Sequence, residues 1–277
     1  LIMKLLLALI LFGANLVWAD QPLRLLVPVA PGGGADIVAR IVAQNMMQQW
    51  GHTVVVDNRG GAGGAVAFNL LLQSPRDGRT VILMSNGEQE EIFARSALRE
   101  LHTVARQPVT VSVISALGVK NLAEMIVYAQ KNLDQLRYGT GGVGSPLHMA
   151  AREFERTHGV ILNHVPYKGG AAAILPMLSQ ETHMVFMGIA PMLGYRFHDK
   201  IKILAVTGTH RSPLAPEIPT FREQGSAYDY HIWYSIVARE PIPQHMQKLW
   251  IDAVRSIDPA EFSKLNIDKW TTIRNKK

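Results

Sequence analysis

Three glycine-rich loops punctuate this chain, each set between a short apolar run and a helical pattern, and that alternation restricts it to a layered α/β fold. The first is Pro28-Val29-Ala30-Pro31-Gly32-Gly33-Gly34-Ala35-Asp36, at the end of the strand-like run 23–29. A helix opens near Asp36, with Ile37, Val38, Ile41, Val42 and Met46 on one face and Gly51 as its stop. Consecutive glycines let the backbone turn sharply and bring its amide N–H groups close to a bound group. The unpaired N–H groups and positive dipole end of the helix point to the same place, which makes an anion site.

The second loop, Asn58-Arg59-Gly60-Gly61-Ala62-Gly63-Gly64, lies between a strand at 53–56 and a helix running through Leu72, and a third strand follows at 80–84. This βαβαβ order implies a parallel sheet with helical crossovers. The stretch 86–107, with Glu88, Glu90 and Glu91 close together, reads as one irregular helix. Beyond it, 109–117 reads as a strand passing between domains, and 122–131 as a helix. Strands are expected at 136–138, 160–165, 184–187 and 202–206, and a strand at 231–238 returns the chain to its first domain. Helices are expected at 146–157, 171–178 and 244–256, with a last one starting near Pro259.

The third loop is Gly139-Thr140-Gly141-Gly142-Val143-Gly144-Ser145-Pro146-Leu147-His148. Pro146 suits the first helical position and Ser145 the N-cap. A carboxylate placed here would accept two or three charge-assisted bonds, each worth about 1.5–3 kcal/mol. Ser145 has two readings, a helix cap or a ligand contact, and both can hold. His148 in the first turn is either a packed residue or a ligand contact. Tyr167 and Lys168 follow a strand at its carboxyl end, where open α/β sheets bind ligands, although Lys168 reads equally as a solvated charge. Asp36 and Arg59 sit on adjacent loops, where a pair can form. Trp233 and Tyr234, on the returning strand, read as core.

Enzyme signatures fail. Gly139-x-Gly141-x-x-Gly144 fits a dinucleotide pattern, but no acid occurs between Glu155 and Glu181 to hold a ribose. There is no phosphate-binding G-x-x-x-x-G-K-[ST], Ser145 lacks the glycine of a nucleophile elbow, and the ten histidines show no metal spacing. No catalytic residue, metal or cofactor is therefore expected; the residual enzyme reading would use His148 or Lys168. The absence of cysteine excludes disulfides, thiol catalysis and cysteine-bound zinc. The net charge of +6 is spread over dispersed Lys and Arg residues, a solvated surface that draws small anions and no nucleic acid. Met3-Lys4, the apolar run 5–17 and Val17-Trp18-Ala19 read as a cleavable secretion signal over 1–19, too short for a membrane span. A periplasmic protein is expected.

Arg24-Leu25-Leu26-Val27-Pro28, Ala30 to Asp36, and Val54-Val55-Val56-Asp57-Asn58-Arg59 together resemble the extracytoplasmic solute receptors of tripartite tricarboxylate transporters, the Bug receptors. Gly144-Ser145-Pro146-Leu147-His148-Met149-Ala150 and His164-Val165-Pro166-Tyr167-Lys168-Gly169 add to it, as do Ala205-Val206-Thr207 and Ile218-Pro219-Thr220. The resemblance covers most of 22–250. It implies a type II periplasmic binding protein, with two α/β domains joined by a hinge and a ligand cleft between them. The domains would be 20–117 with 232–277, and 118–231. The implied ligand is a small carboxylate, held largely by backbone amides and ordered water, and the implied partners are the membrane components of a transporter or a sensor protein. A monomer is expected. The ligand-binding set is then Pro31, Gly32, Gly33, Gly34, Ala35, Asp36, Ser85, Thr140, Gly141, Gly142, Gly144, Ser145, His148, Tyr167 and Gly188. Ala35 stands where the family often has Ser or Thr. After Ile257 the chain runs straight into Asp258-Pro259-Ala260-Glu261-Phe262, where the family carries a further helix and strand, so a shortened first domain is expected.

Overall fold

Strand β1 (Leu23–Val27) is buried at every position except Arg24, as a central parallel strand covered on both faces requires. In the computed structural model, which describes residues 21–87, 97–265 and 267–269, it pairs in parallel with β2 (Val54–Asn58) and β3 (Thr80–Ser85). The expected signal segment 1–19 and the acidic cluster Glu88, Glu90 and Glu91 lie outside the described residues. Helix α1 (Gly34–Trp50) crosses from β1 to β2, and α2 (Ala65–Gln73) from β2 to β3. Helix α1 starts two residues before Asp36, with Gly33 as its N-cap.

The stretch 98–107 is a strand, not the expected irregular helix. β4 (Leu98–Ile114) pairs antiparallel with β9 (His231–Arg239) along 98–108. Register shifts at Glu100/His102 and Thr103/Ala105 break the period-2 alternation that would have marked it as a strand. β9 also pairs with β3, which completes the first sheet. From Val109 onward β4 exchanges partners and pairs with β7 (Met184–Gly188) and β8 (Ile201–Val206). This second sheet continues in parallel through β5 (Arg137–Thr140) to β6 (Asn163–Pro166). Its helices include α3 (Leu122–Lys131), capped by Asn121, and α4 (Pro146–His158), capped by Ser145. The expected helix at 171–178 begins as a tight turn over Gly170–Ala173 before α5 (Ile174–Leu178), and α6 (Ile189–Met192) follows β7. The last described elements, α7 (Gln244–Ser256), α8 (Pro259–Ser263) and the short β10 (Asp268–Lys269), belong to the first lobe, with β10 against β4. Two α/β lobes thus share β4, and the glycine loops at the carboxyl ends of β1 and β5 face each other across the junction.

Candidate functional site

A cavity of about 50 Å³ lies between the lobes. The first lobe lines it with Val29, Gly33, Gly34, Ala35 and Ser85. The second contributes Gly141, Ser145, Pro146 and Leu147 from the third glycine loop and the start of α4, with Gly170, Met187 and Gly188 beside them. Gln107, Ile232 and Tyr234 form the hinge side, on the strands β4 and β9. Two helix N-termini, those of α1 and α4, therefore reach one cavity from opposite lobes. None of the described residues that line it carries a charge. Loops of the two lobes also meet backbone to backbone: an added Cβ at Gly63 would stand 2.6 Å from the Val143 carbonyl oxygen, and one at Gly169 would stand 2.9 Å from the Ala30 nitrogen.

Of the residues expected to bind ligand, Gly33, Gly34, Ala35, Ser85, Gly141, Ser145 and Gly188 line the cavity. The others surround it or turn away. Pro31 and Gly32 are exposed. The Asp36 carboxylate is buried and spent on the loop itself: it accepts from the Gly32 amide at 2.9 Å, Arg40 Nε at 3.0 Å and Asn58 Nδ2 at 3.1 Å. Burial pushes this carboxyl up, and the bonds from Arg40, Gly32 and Asn58 outweigh it, holding the group below the usual carboxylate range. Asp36 ties the loop after β1 to the end of β2, so Arg59 pairs instead with Asp57, at 2.7 Å.

The second-lobe loop is braced from behind. Thr140 Oγ1 accepts from the Gly142 amide at 3.2 Å and lies 2.6 Å from His164 Nε2. The Gly144 amide donates to His148 Nδ1 at 3.1 Å, and the His148 amide donates to Ser145 Oγ at 3.3 Å. The His148 ring stacks on His164 with centroids 4.3 Å apart, and Tyr138 stacks on the far side of His164 at 5.0 Å. His148 thus packs against the loop. Ser145 is both a cap and a cavity wall. Tyr167 turns outward and donates from its hydroxyl to Glu181 Oε1 at 2.9 Å.

Burial, and then the adjoining His148 ring, push the His164 pKa down to about 4. The unfolded chain, with an ordinary value near 6.5, binds more protons than the folded one between these limits, so stability rises with pH across that window. It is fully present above about pH 6.5 and lost as pH falls toward about 4. The melting temperature is expected to fall from pH 7 to pH 5, and His164→Gln to flatten part of that fall. Parallel melting curves for parent and variant would assign the dependence elsewhere.

Sequence reasoning missed Gln107 and Tyr234. The Tyr234 ring is core, as expected, but its hydroxyl reaches the cavity and donates to Gln107 Oε1 at 2.7 Å. Gln107 fell inside the stretch read as a helix. The signal present was a lone amide beside Arg106, just ahead of the β-branched alternation 109–114.

The family model for the tripartite tricarboxylate transporter family receptor matches residues 38–269. The chain belongs to that receptor family. A relative from Pseudomonas sp. (strain P51), the UPF0065 protein in the tcbD-tcbE intergenic region, is 27% identical over 235 residues, 81% of this chain and 70% of its own. The periplasmic binding protein BugD superposes with a TM-score of 0.83 at 26% identity, over 92% of this chain and 90% of that one. An R. palustris protein solved with adipate gives 0.83 at 25% identity, over 91% and 89% of the two chains. The fold and family of the receptor are those of periplasmic substrate-binding proteins, and among its described residues no helix is long and apolar enough to cross a membrane.

Proposed function

We propose that the receptor captures a small carboxylate between its lobes, in the periplasm, and presents the closed form to the membrane components of a tripartite transporter. The observation that carries this reading is the convergence of the α1 and α4 N-termini, from opposite lobes, on one cavity. An anion there accepts N–H bonds from both lobes at once, so binding favours the closed state. Gly33, Gly34, Ala35, Gly141 and Ser145 supply the grip, with Ser85 and Gly188 as walls. Pro31, Gly32, Asp36, Thr140, Gly142, Gly144, His148 and Tyr167 belong to the loops that hold it in shape. The expected division, 20–117 with 232–277 and 118–231, shifts at its first boundary: β4 exchanges strand partners at Pro108–Val109, which is one hinge point, so its residues from Val109 onward go with the second lobe. The protein binds without altering its ligand, and the R. palustris neighbour solved with adipate supports the carboxylate class.

Thermal unfolding of the purified chain against mono-, di- and tricarboxylates and aromatic acids tests this. Ligand at about 100 times Kd adds about 2.7 kcal/mol to the native state, so one class is expected to raise the melting temperature by several degrees. No shift with any acid would overturn the reading, and consumption of a bound acid would replace it with an enzyme.

A further inference from the structure

Gln107 has no solvent exposure, and its Nε2 has no hydrogen-bond partner. A buried amide donor without an acceptor is costly, and such groups in native proteins call for an explanation. This one stands where β4 leaves one sheet for the other, between Gly34 of the first lobe and Gly188 of the second. Tyr234 donates to its Oε1, which fixes the amide plane and leaves Nε2 as the spare donor of a residue that lines the cavity. Burial keeps the Tyr234 hydroxyl protonated, so that bond persists at any physiological pH.

The charge balance of the cavity is equally specific. Each helix N-terminus is worth roughly half a positive charge, so α1 and α4 together balance about one anion. Asp36 in the first turn of α1 is offset by its partner Arg40, and the described lining residues add no charge. A second carboxylate would find no counter-charge among the described lining residues. The 50 Å³ of space admits about three to five water-sized groups. Val29, Leu147, Met187 and Ile232 offer an apolar wall to a short hydrocarbon body.

Building on the carboxylate-receptor reading, we infer that Gln107 Nε2 donates to the bound acid, that Tyr234 is its positioning residue, and that the site selects a short-chain monocarboxylate over dicarboxylates of the same length. Calorimetric titration of the purified chain at pH 7.5 with propionate, butyrate and pyruvate against malonate and succinate is the test. At least one monocarboxylate is expected to bind tenfold or more tightly than the dicarboxylate of equal carbon number. Gln107→Glu keeps the acceptor for Tyr234 but sets a carboxylate against the ligand. It is expected to lose tenfold or more at pH 7.5 and to regain part of that, relative to the parent at the same pH, at pH 5. Tyr234→Phe is expected to lose affinity severalfold without acquiring that pH dependence. If Gln107→Glu melts without cooperativity, Gln107→Met, which keeps the length and removes the donor, carries the same comparison. Succinate or malonate binding as tightly as the monocarboxylates would overturn the charge selection and leave the carboxylate receptor standing. Parental affinity in the Gln107 variant would overturn the role of the amide. Binding of none of these acids, nor of the wider panel, would remove both the inference and the receptor reading beneath it.

Discussion

Gly188→Ala is expected to weaken carboxylate binding roughly 10- to 100-fold while the ligand-free protein still melts cooperatively. The backbone at Gly188 has φ −57 and ψ 145, which alanine adopts freely, so the effect does not come from the main chain. It comes from space. A Cβ there would stand 2.2 Å from Gln107 Oε1 and 2.4 Å from its Cδ. The amide has little room to retreat, because a Cβ at Gly34 would already be 2.3 Å from the same oxygen and the Tyr234 hydroxyl holds it at 2.7 Å. The amide must therefore move into the small cavity or lose its tyrosine bond. Overpacking of this kind costs about 1–3 kcal/mol, and each 1.4 kcal/mol is tenfold in affinity. Gly194→Ala is the control, since a Cβ there meets nothing within 4 Å. Isothermal titration of both variants with the preferred acid decides the matter: equal affinity in the two would mean that Gly188 does not bound the ligand site.

Legibility in the sequence followed how local each signal was. The Ser145-Pro146 pair announced the start of α4 because capping and the fixed φ of proline act within a turn. Helices α3 and α7 occupy the expected ranges because their apolar faces repeat at the helical period. The glycine loops after β1 and β5 located two corners of the cavity because their turns, too, are set locally. The hinge side was not legible. Burial of Gln107 depends on β9, more than 120 residues further along the chain, and on the exchange to β7 that begins two residues later. Tyr234 sits in an alternating strand, where period alone predicts a core ring and says nothing of where a hydroxyl ends. Asp36 reads from the sequence as a ligand-binding residue, and its role as a brace was not legible, because its partner Asn58 arrives only when β2 pairs with β1.

Trp250→Ala is expected to cost about 3–5 kcal/mol of stability, a large part of the 5–15 kcal/mol that typically separates folded from unfolded chains. Trp250 is fully buried on α7, and its Nε1 donates to the Gly78 carbonyl oxygen at 2.9 Å. The contact matters because α7 leads into the segment where the resemblance predicts missing residues. A chain damaged there would leave the end of α7 loose. The junction is instead packed: Ile257 and Phe262 are buried, and Asp258 caps α8 by accepting from the Ala260 amide at 2.9 Å. From α1, Asn45 Nδ2 donates to the Ala253 carbonyl at 2.8 Å and Trp50 Nε1 to Ser256 Oγ at 3.1 Å. A polar groove of about 290 Å³, lined by Gln44, Gln48, Asp258 and Glu261 among others, lies beside it without breaking the apolar core below. Urea denaturation of parent and variant measures the difference. A cooperative parent transition with a midpoint well above that of Trp250→Ala means that α7 is an integral part of the first lobe, which can then close on its ligand as a unit. A broad parent transition that Trp250→Ala leaves unchanged would mean that the first lobe, on which the cavity depends, does not fold as a unit.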